Sequence, residues 1–205
     1  MIYYIIPARK NSKGFRFKNR YLFEDLPKEL TDHKVIITSD DDVIRDMNDK
    51  LYGFDFLRRP DHLALDDTSV KPVLEHVVHE YNLNDDDTLV VLYLTYPERT
   101  YNDIQSILSF YQANNASSLL CREPLLQHPY LCFESKSKHK AKRIVNHNLY
   151  RRQDYPECFF GSHFVAIVNV GTLPELDLNL HNEDRTIFYD LQSHKIDVDH
   201  KTDLK

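Results

Sequence analysis

Short apolar runs alternate with helix-like patterns along most of the chain. One uninterrupted apolar run covers residues 89–94 and another covers residues 2–6. Runs of this length are typical of strands that are buried on both faces of a parallel sheet, so we predict strands at 88–94 and 2–6. Shorter apolar segments predict further strands at residues 34–38, 54–57, 117–121, 164–170 and 196–198.

Two segments carry apolar residues at helical spacing. The first runs from Val70 to Tyr81 at intervals of three and four, with Pro72 in the first turn, where proline is tolerated. The second opens on Thr100 and Asp103 in a capping-box pattern. Its apolar face follows at Ile104, Ile107, Leu108 and Tyr111. The alternation predicts an α/β fold in three layers with a mostly parallel central sheet, whose ligands bind beyond the carboxyl ends of the strands.

Composition narrows the class of protein. The 205 residues are 41% hydrophobic, which suits one domain, residues 1–205. The 26 lysines and arginines against 32 aspartates and glutamates give a net charge of −6, which disfavours a general nucleic-acid binder. Three cysteines without a C-x-x-C pair fit a reducing cytosol. No apolar run approaches the ~20 residues that cross a bilayer, so we expect a cytoplasmic protein with no membrane partner.

A basic loop follows the first predicted strand. Six cations and no acid fall within residues 9–20, although the chain contains only four glycines and neither of the familiar glycine-rich phosphate loops. Gly14 lies within this loop, where it would allow close approach of the backbone to an anion. The loop therefore favours a polyphosphate ligand, with a solvated basic loop or a nucleic-acid contact as the alternatives. A second basic cluster, at residues 136–143, is interpreted as a solvated face.

The basic loop resembles a known family. Residues 8–19, A-R-K-N-S-K-G-F-R-F-K-N, are similar to the A-R-x-x-S-K-G-x-x-x-K-N signature of the CMP-sialic acid synthetases, the acylneuraminate cytidylyltransferases. Further segments resemble family motifs in the same order: I-I-T-S-D-D at 36–41, R-P with L-A and Asp66 at 59–66, T-Y-P-E-R at 95–99, R-Q-D-Y-P at 152–156 and D-V-D at 197–199. The similarity spans nearly the whole chain, and it identifies a divergent, short member.

The resemblance implies a function and a set of site residues. The implied enzyme is a nucleotidyltransferase with a Rossmann-like sheet, which transfers CMP from CTP to a sialic-acid-like 2-keto sugar acid for surface glycan biosynthesis. The implied catalytic residues on the triphosphate are Arg9, Lys13 and Lys18. Nucleotide-binding residues would be Ala8, Asn11, Ser12, Asn19, Arg59, Asp66 and Thr68. Residues on the sugar acid would be Tyr93, Thr95, Arg99, Arg152 and Gln153. Asp197 and Asp199 would hold Mg²⁺, because two carboxylates on one face of a strand need a cation between them.

Other interpretations stay open for several of these residues. Asp66 could cap the next helix, Arg99 could support the helix that starts at Thr100, and Arg152 could be a surface cation. Residues 125–162 are expected to form a lobe that carries Arg152 into the sugar site of a partner subunit, in a homodimer without nucleic acid.

The acceptor side departs from the family pattern. Tyr93 stands where the family has glutamine, and Leu131 lies where a lysine is common. Two alternatives follow. One is a cytidylyltransferase for 3-deoxy-manno-octulosonate, and the other is a homologue that binds CTP without turnover.

Overall fold

A seven-stranded sheet organises the chain in the computed structural model, which describes residues 1–204. Its strands, with those of a separate hairpin, are β1 (Ile2–Pro7), β2 (Val35–Ser39), β3 (Asp55–Arg58), β4 (Thr88–Val91), β5 (Ser118–Pro124), β6 (Phe133–Ser137), β7 (Lys140–Arg143), β8 (Phe159–Asn169) and β9 (Thr186–Asp190). The α-helices are α1 (Lys18–Leu22), α2 (Asp42–Leu51), α3 (Val70–Glu80) and α4 (Tyr101–Ala113). The order in the sheet is β3-β2-β1-β4-β8-β5-β9.

All neighbouring strands in this sheet are parallel except at β8, which runs antiparallel to both β4 and β5. Strands β1 and β4 lie centrally, and their apolar runs are buried as the pattern predicts. The predicted α/β class with a mostly parallel sheet is therefore confirmed.

Helices cover both faces of the sheet. Successive β1 residues point to opposite sides, so Ile6 joins a core with α1, α2 and α4, whereas Ile5 joins a second core with α3. Leu74 and Val77 are the α3 residues buried in the second core. These two cores hold the sheet rigidly between helical layers, and they fix the strand ends that form the candidate site.

Several parts of the chain differ from the sequence prediction. Helix α2 and strand β9 were not predicted, because the acidic start of α2 and the half-exposed pattern of β9 lack a continuous apolar signal. Residues 196–198 are extended but form no strand. The segment 122–160, expected to be irregular, contains the hairpin of β6 and β7, the end of β5 and the start of β8.

The predicted lobe leaves the sheet after β5 and returns in β8. Its hairpin is exposed on every residue of both strands. The lobe is tied together by aromatic contacts, including a stack of Tyr130 on His147 with ring centroids 4.6 Å apart. Its predicted role in dimerisation stays a prediction. No helix in the described part of the chain is long and apolar enough to cross a membrane.

Candidate active site

A cleft of about 250 Å³ opens beyond the carboxyl ends of β1 and β4. Nine of the predicted site residues line it: Arg9, Ser12, Lys18, Asn19, Arg59, Thr68, Tyr93, Thr95 and Asp199. Parallel strands direct their carboxyl ends to one edge, which is why segments far apart in sequence converge here. The rest of the lining comes from Pro7, Leu94 and the first turn of α3 with its preceding Ser69.

Arg9 and Asp66 form an ion pair at the rim of the cleft. The Nη1 atom of Arg9 donates to the Asp66 carboxylate at 2.5 Å and to the Leu65 carbonyl at 3.2 Å. Lys13 approaches the other Asp66 oxygen at 3.4 Å. The hydrogen bond from Arg9 is the main cause that holds the pKa of Asp66 below its usual range. Asp66 therefore orients the rim cations, and it does not line the cleft itself.

Lys18 is the buried cation of the loop. Its side chain is 9% exposed, and Nζ donates to the Val198 carbonyl at 2.7 Å and to Asp199 at 2.9 Å. A buried ammonium group is costly unless it is paired, and these two acceptors provide that pairing. Phe17, which precedes it, has a left-handed φ of 58°, so the chain turns sharply as it enters α1.

Hydrogen bonds to the main chain of residues 8–10 hold the start of the basic loop in place. Asn19 donates from Nδ2 to the Arg9 carbonyl at 2.8 Å, and Ala8 donates its N–H to the Thr38 carbonyl at 3.0 Å. Ser39 donates to the Ala8 carbonyl, and Asp40 accepts from the Lys10 N–H at 2.6 Å. Ser39 and Asp40 were not predicted as site residues. Their position in the S-D-D segment at the carboxyl end of β2 was the signal that could have found them.

Arg59 lies inside the cleft with almost no exposed surface. Its Nη2 donates to the Thr38 carbonyl at 2.8 Å. Burial, more than any neighbouring charge, lowers the pKa of Arg59 to about 10, and Arg9 lowers it further while Asp40 opposes the shift. A buried guanidinium with one strong main-chain acceptor is suited to bind an anion or a ring carbonyl from a ligand.

Tyr93 is half-buried and lines the same cleft. Burial raises the pKa of its hydroxyl, so the phenol stays protonated over the physiological range. It can donate a hydrogen bond to a ligand, whereas a glutamine at this position offers both a donor and an acceptor.

Arg99 occupies a different environment from the one predicted. Its Nη1 donates to the Phe164 carbonyl at 2.8 Å and its Nη2 donates to the Tyr93 carbonyl at 2.9 Å, while Nε has no partner among residues 1–204. Burial lowers the pKa of Arg99 to about 10. Arg99 does not line the cleft, and it ties the end of β4 to β8.

The remaining predicted residues also lie outside the cleft lining. Ala8 is buried beneath the loop, while Asn11 and Lys13 are exposed on it. Arg152 and Gln153 are exposed on the lobe, in a short 3₁₀ turn. Their predicted contact with the site of a partner subunit stays a prediction.

Asp197 and Asp199 flank the buried Val198 in the extended C-terminal segment. Val198 donates its N–H to the Thr95 carbonyl at 2.8 Å, which fixes this segment beside the end of β4. Only Asp199 lines the main cleft, and both carboxylates line an adjoining open cleft of about 480 Å³. The two exposed carboxylates fit Mg²⁺, which takes one or two protein carboxylates together with phosphate oxygens. No group of three or more His, Cys, Asp or Glu residues forms a metal cage within residues 1–204.

Known proteins resemble this chain in sequence and in fold. The post-translational flagellin modification protein B of Campylobacter coli is 26% identical over 98% of this chain and 90% of that protein. The N-acylneuraminate cytidylyltransferase of Escherichia coli O18:K1:H7 is 34% identical over 53% of this chain, which is 27% of that enzyme. The structure of CMP:2-keto-3-deoxy-manno-octonic acid synthetase complexed with CTP matches with a TM-score of 0.65 and 15% identity, over 96% of this chain and 92% of that one. No protein-family model matches the chain.

The chain shares the fold of a CTP-binding synthetase, and its sequence relatives indicate a nucleotidyltransferase. Within that class, the sequence relatives support the sialic-acid-type cytidylyltransferase family. The resemblance that the motifs indicate is thereby confirmed.

Proposed function

We propose that the protein transfers CMP from CTP to a sialic-acid-like 2-keto sugar acid and releases pyrophosphate. One observation carries the proposal: Arg9, Lys18 and Arg59 converge on a single cleft that also receives the Asp199 carboxylate. Three cations around one carboxylate suit a triphosphate with its metal ion better than they suit a neutral ligand. The similarity to the N-acylneuraminate cytidylyltransferase of E. coli supports the same assignment.

The proposed reaction forms one bond and breaks one. The anomeric hydroxyl oxygen of the sugar acid bonds to the α-phosphorus, while the bond from that phosphorus to the bridging oxygen breaks. Pyrophosphate leaves with the electron pair, and the hydroxyl proton passes to solvent. Lys18 and Arg9 neutralise charge on the phosphates during this displacement, and Arg59 holds the nucleotide.

Mg²⁺ is the proposed cofactor, held by Asp197 and Asp199. When bound, it would neutralise charge on the phosphate oxygens. Lys18 is paired with Asp199, and this ion pair holds the carboxylate beside the cleft. The Thr95 carbonyl orients the same segment through its hydrogen bond from Val198.

Tyr93 and Thr95 are the proposed contacts to the sugar acid from this subunit. Arg152 and Gln153 would come from the lobe of a second copy in a homodimer. A half-buried phenol at position 93 sets the hydrogen bonding available to the acceptor, and this is where we expect a preference between sugar acids to arise.

A second candidate function is transfer of CMP to 3-deoxy-manno-octulosonate. The fold similarity to CMP:2-keto-3-deoxy-manno-octonic acid synthetase favours it. The substituted acceptor side favours a third candidate, a homologue that binds CTP without turnover.

Pyrophosphate release separates these functions. The purified protein is incubated with CTP, Mg²⁺ and one acceptor at a time: N-acetylneuraminic acid, other nine-carbon 2-keto acids and 3-deoxy-manno-octulosonate. We expect acceptor-dependent release with a nine-carbon acid. Release with the eight-carbon acid alone would establish the second candidate. CTP binding without release would establish the third, and absence of CTP binding would overturn all three.

A further inference from the structure

Gly14 meets the C-terminal segment at very close range. A Cβ atom at this position would overlap the Asp199 carbonyl oxygen and would lie 3.1 Å from two ring atoms of His200. The overlap is with main chain, so rotation of a side chain cannot relieve it. Gly14 does not have the positive φ that favours glycine. Close approach alone therefore explains why a glycine is needed here.

The same C-terminal segment receives Lys18. Lys18 bonds to the Val198 carbonyl and to the Asp199 carboxylate, and Val198 bonds in turn to Thr95 at the end of β4. The segment is thus held between the basic loop on one side and β4 on the other. Any displacement of the Asp199 carbonyl moves the acceptors of Lys18 as well.

The basic loop cannot easily move away to make room for a larger residue. Phe15, directly after Gly14, is 8% exposed and belongs to the hydrophobic core. Its carbonyl accepts the Lys18 N–H at 3.1 Å. Moving Gly14 outward would pull Phe15 from the core, so the contact is fixed from both sides.

We infer that Gly14 is a positioning residue: it lets the basic loop seat against the main chain of Asp199, so that Lys18 and Asp199 share one cleft. A side chain at position 14 displaces the C-terminal segment and separates this pair. The inference rests on the proposed function only for its effect on Mg²⁺ and CTP, and the geometry itself is open to a test without any nucleotide.

The nucleotide-free test measures how fast Lys18 is acetylated by an amine-reactive ester, resolved by mass spectrometry of peptides. Lys13, with a side chain 81% exposed, supplies the fully reactive reference. Lys71 supplies the control for global loosening, because its Nζ donates to the carbonyls of Pro174 and Leu176, which belong neither to the basic loop nor to the C-terminal segment. Gly161→Ala is the matched variant, since a Cβ there meets nothing within 4 Å.

In the wild type we expect Lys18 to be protected relative to Lys13. Gly14→Ala should raise Lys18 acetylation several-fold and leave Lys71 unchanged, and Gly161→Ala should behave as the wild type. Unchanged Lys18 acetylation in Gly14→Ala would overturn the inference. A rise in Lys71 together with Lys18 would also overturn it, since the glycine would then support the whole fold and not this contact.

Calorimetric titration of CTP at increasing Mg²⁺ tests the functional consequence. We expect Gly14→Ala to raise the Mg²⁺ concentration for half-maximal CTP binding by about tenfold, as for loss of a group that orients a metal ligand. CTP binding without metal should change far less. If Gly14→Ala weakens CTP binding equally with and without Mg²⁺, the inference that Gly14 positions Asp199 is contradicted. If the wild type binds no CTP, the proposed function fails while the acetylation result stands.

Discussion

Lys18 illustrates how one residue links the basic loop to the rest of the site. Six cations crowd the loop, but only Lys18 among them is buried. The structure places Lys18 in the cleft, whereas the pattern of charges alone treats all six alike; its predicted catalytic role stays a prediction. Its pairing with Asp199, 181 residues away, depends on packing of the C-terminal segment that no local pattern encodes.

Lys18→Ala should reduce kcat/KM for pyrophosphate release by about 100-fold or more, because it removes a preorganised cation from the triphosphate. Lys10→Ala is the matched control, since Lys10 is exposed and does not line the cleft. Steady-state kinetics on both variants measures the effect. An equal decrease of kcat/KM in Lys18→Ala and Lys10→Ala would show that the loop acts only through its overall charge.

The direction of the side chain distinguishes two buried arginines near the cleft. Arg59 and Arg99 are both buried, and burial lowers the pKa of each to about 10. Arg59 lines the cleft, whereas Arg99 donates hydrogen bonds to two main-chain carbonyls outside it. The sequence placed both after strands, and it could not separate them, because the direction of each side chain is decided by tertiary packing.

At the level of elements, helix α4 shows how a local signal can fix a boundary. Thr100 accepts from the Asp103 N–H at 3.1 Å, and Asp103 accepts from the Thr100 N–H at 2.9 Å, as the capping-box pattern predicted. The buried face of α4 is also the predicted one. Thr100 and Asp103 are three residues apart, so this boundary needs no information from elsewhere in the chain.

Thr100→Ala should lower the free energy of unfolding by about 1 kcal/mol, the typical value of an N-cap. The variant leaves the Asp103 N–H in the first turn without its side-chain acceptor. Ser106→Ala is the control, because Ser106 is exposed in the middle of the same helix. Urea denaturation of both variants provides the comparison. If Ser106→Ala lowers the free energy of unfolding as much as Thr100→Ala does, the N-cap makes no specific contribution to stability.

Elements with mixed patterns were the ones that the sequence did not predict. Helix α2 has only two buried residues, Ile44 and Asn48, and its apolar stripe is too narrow to stand out. Strand β9 pairs in parallel with β5 at the edge of the sheet and stays half-exposed. Both elements exist because a neighbour pairs with them or packs on them, and that neighbour is remote in sequence.

At the scale of the whole molecule, an ion pair ties the edge strand β9 to β5. Arg122 of β5 donates to the carboxylate of Asp190 of β9. This hydrogen bond is the main cause that holds the pKa of Asp190 below its usual range. Because the folded pKa is lower than the unfolded one, the stabilisation is complete above the unfolded value and is lost as the pH falls through the folded value.

Asp190→Asn should therefore be less stable than the wild type at neutral pH. The difference between them should shrink as the pH falls below about 4, where the unfolded carboxyl takes up its proton. Urea midpoints measured from pH 7 down to pH 3 give this comparison directly. A difference that stays constant over the range would mean that the carboxylate charge has no part in it.

The lobe between β5 and β8 begins and ends at one place, because Pro124 and Phe159 are paired neighbours in the sheet. Residues 125–158 thus leave the sheet and return to it at adjacent, hydrogen-bonded positions of β5 and β8. Such an excursion can lengthen, shorten or be exchanged between relatives while the strands beneath it keep their register. For the proposed sugar-acid contacts Arg152 and Gln153, this means that acceptor choice can change within the lobe without disturbing the cleft residues at the strand ends.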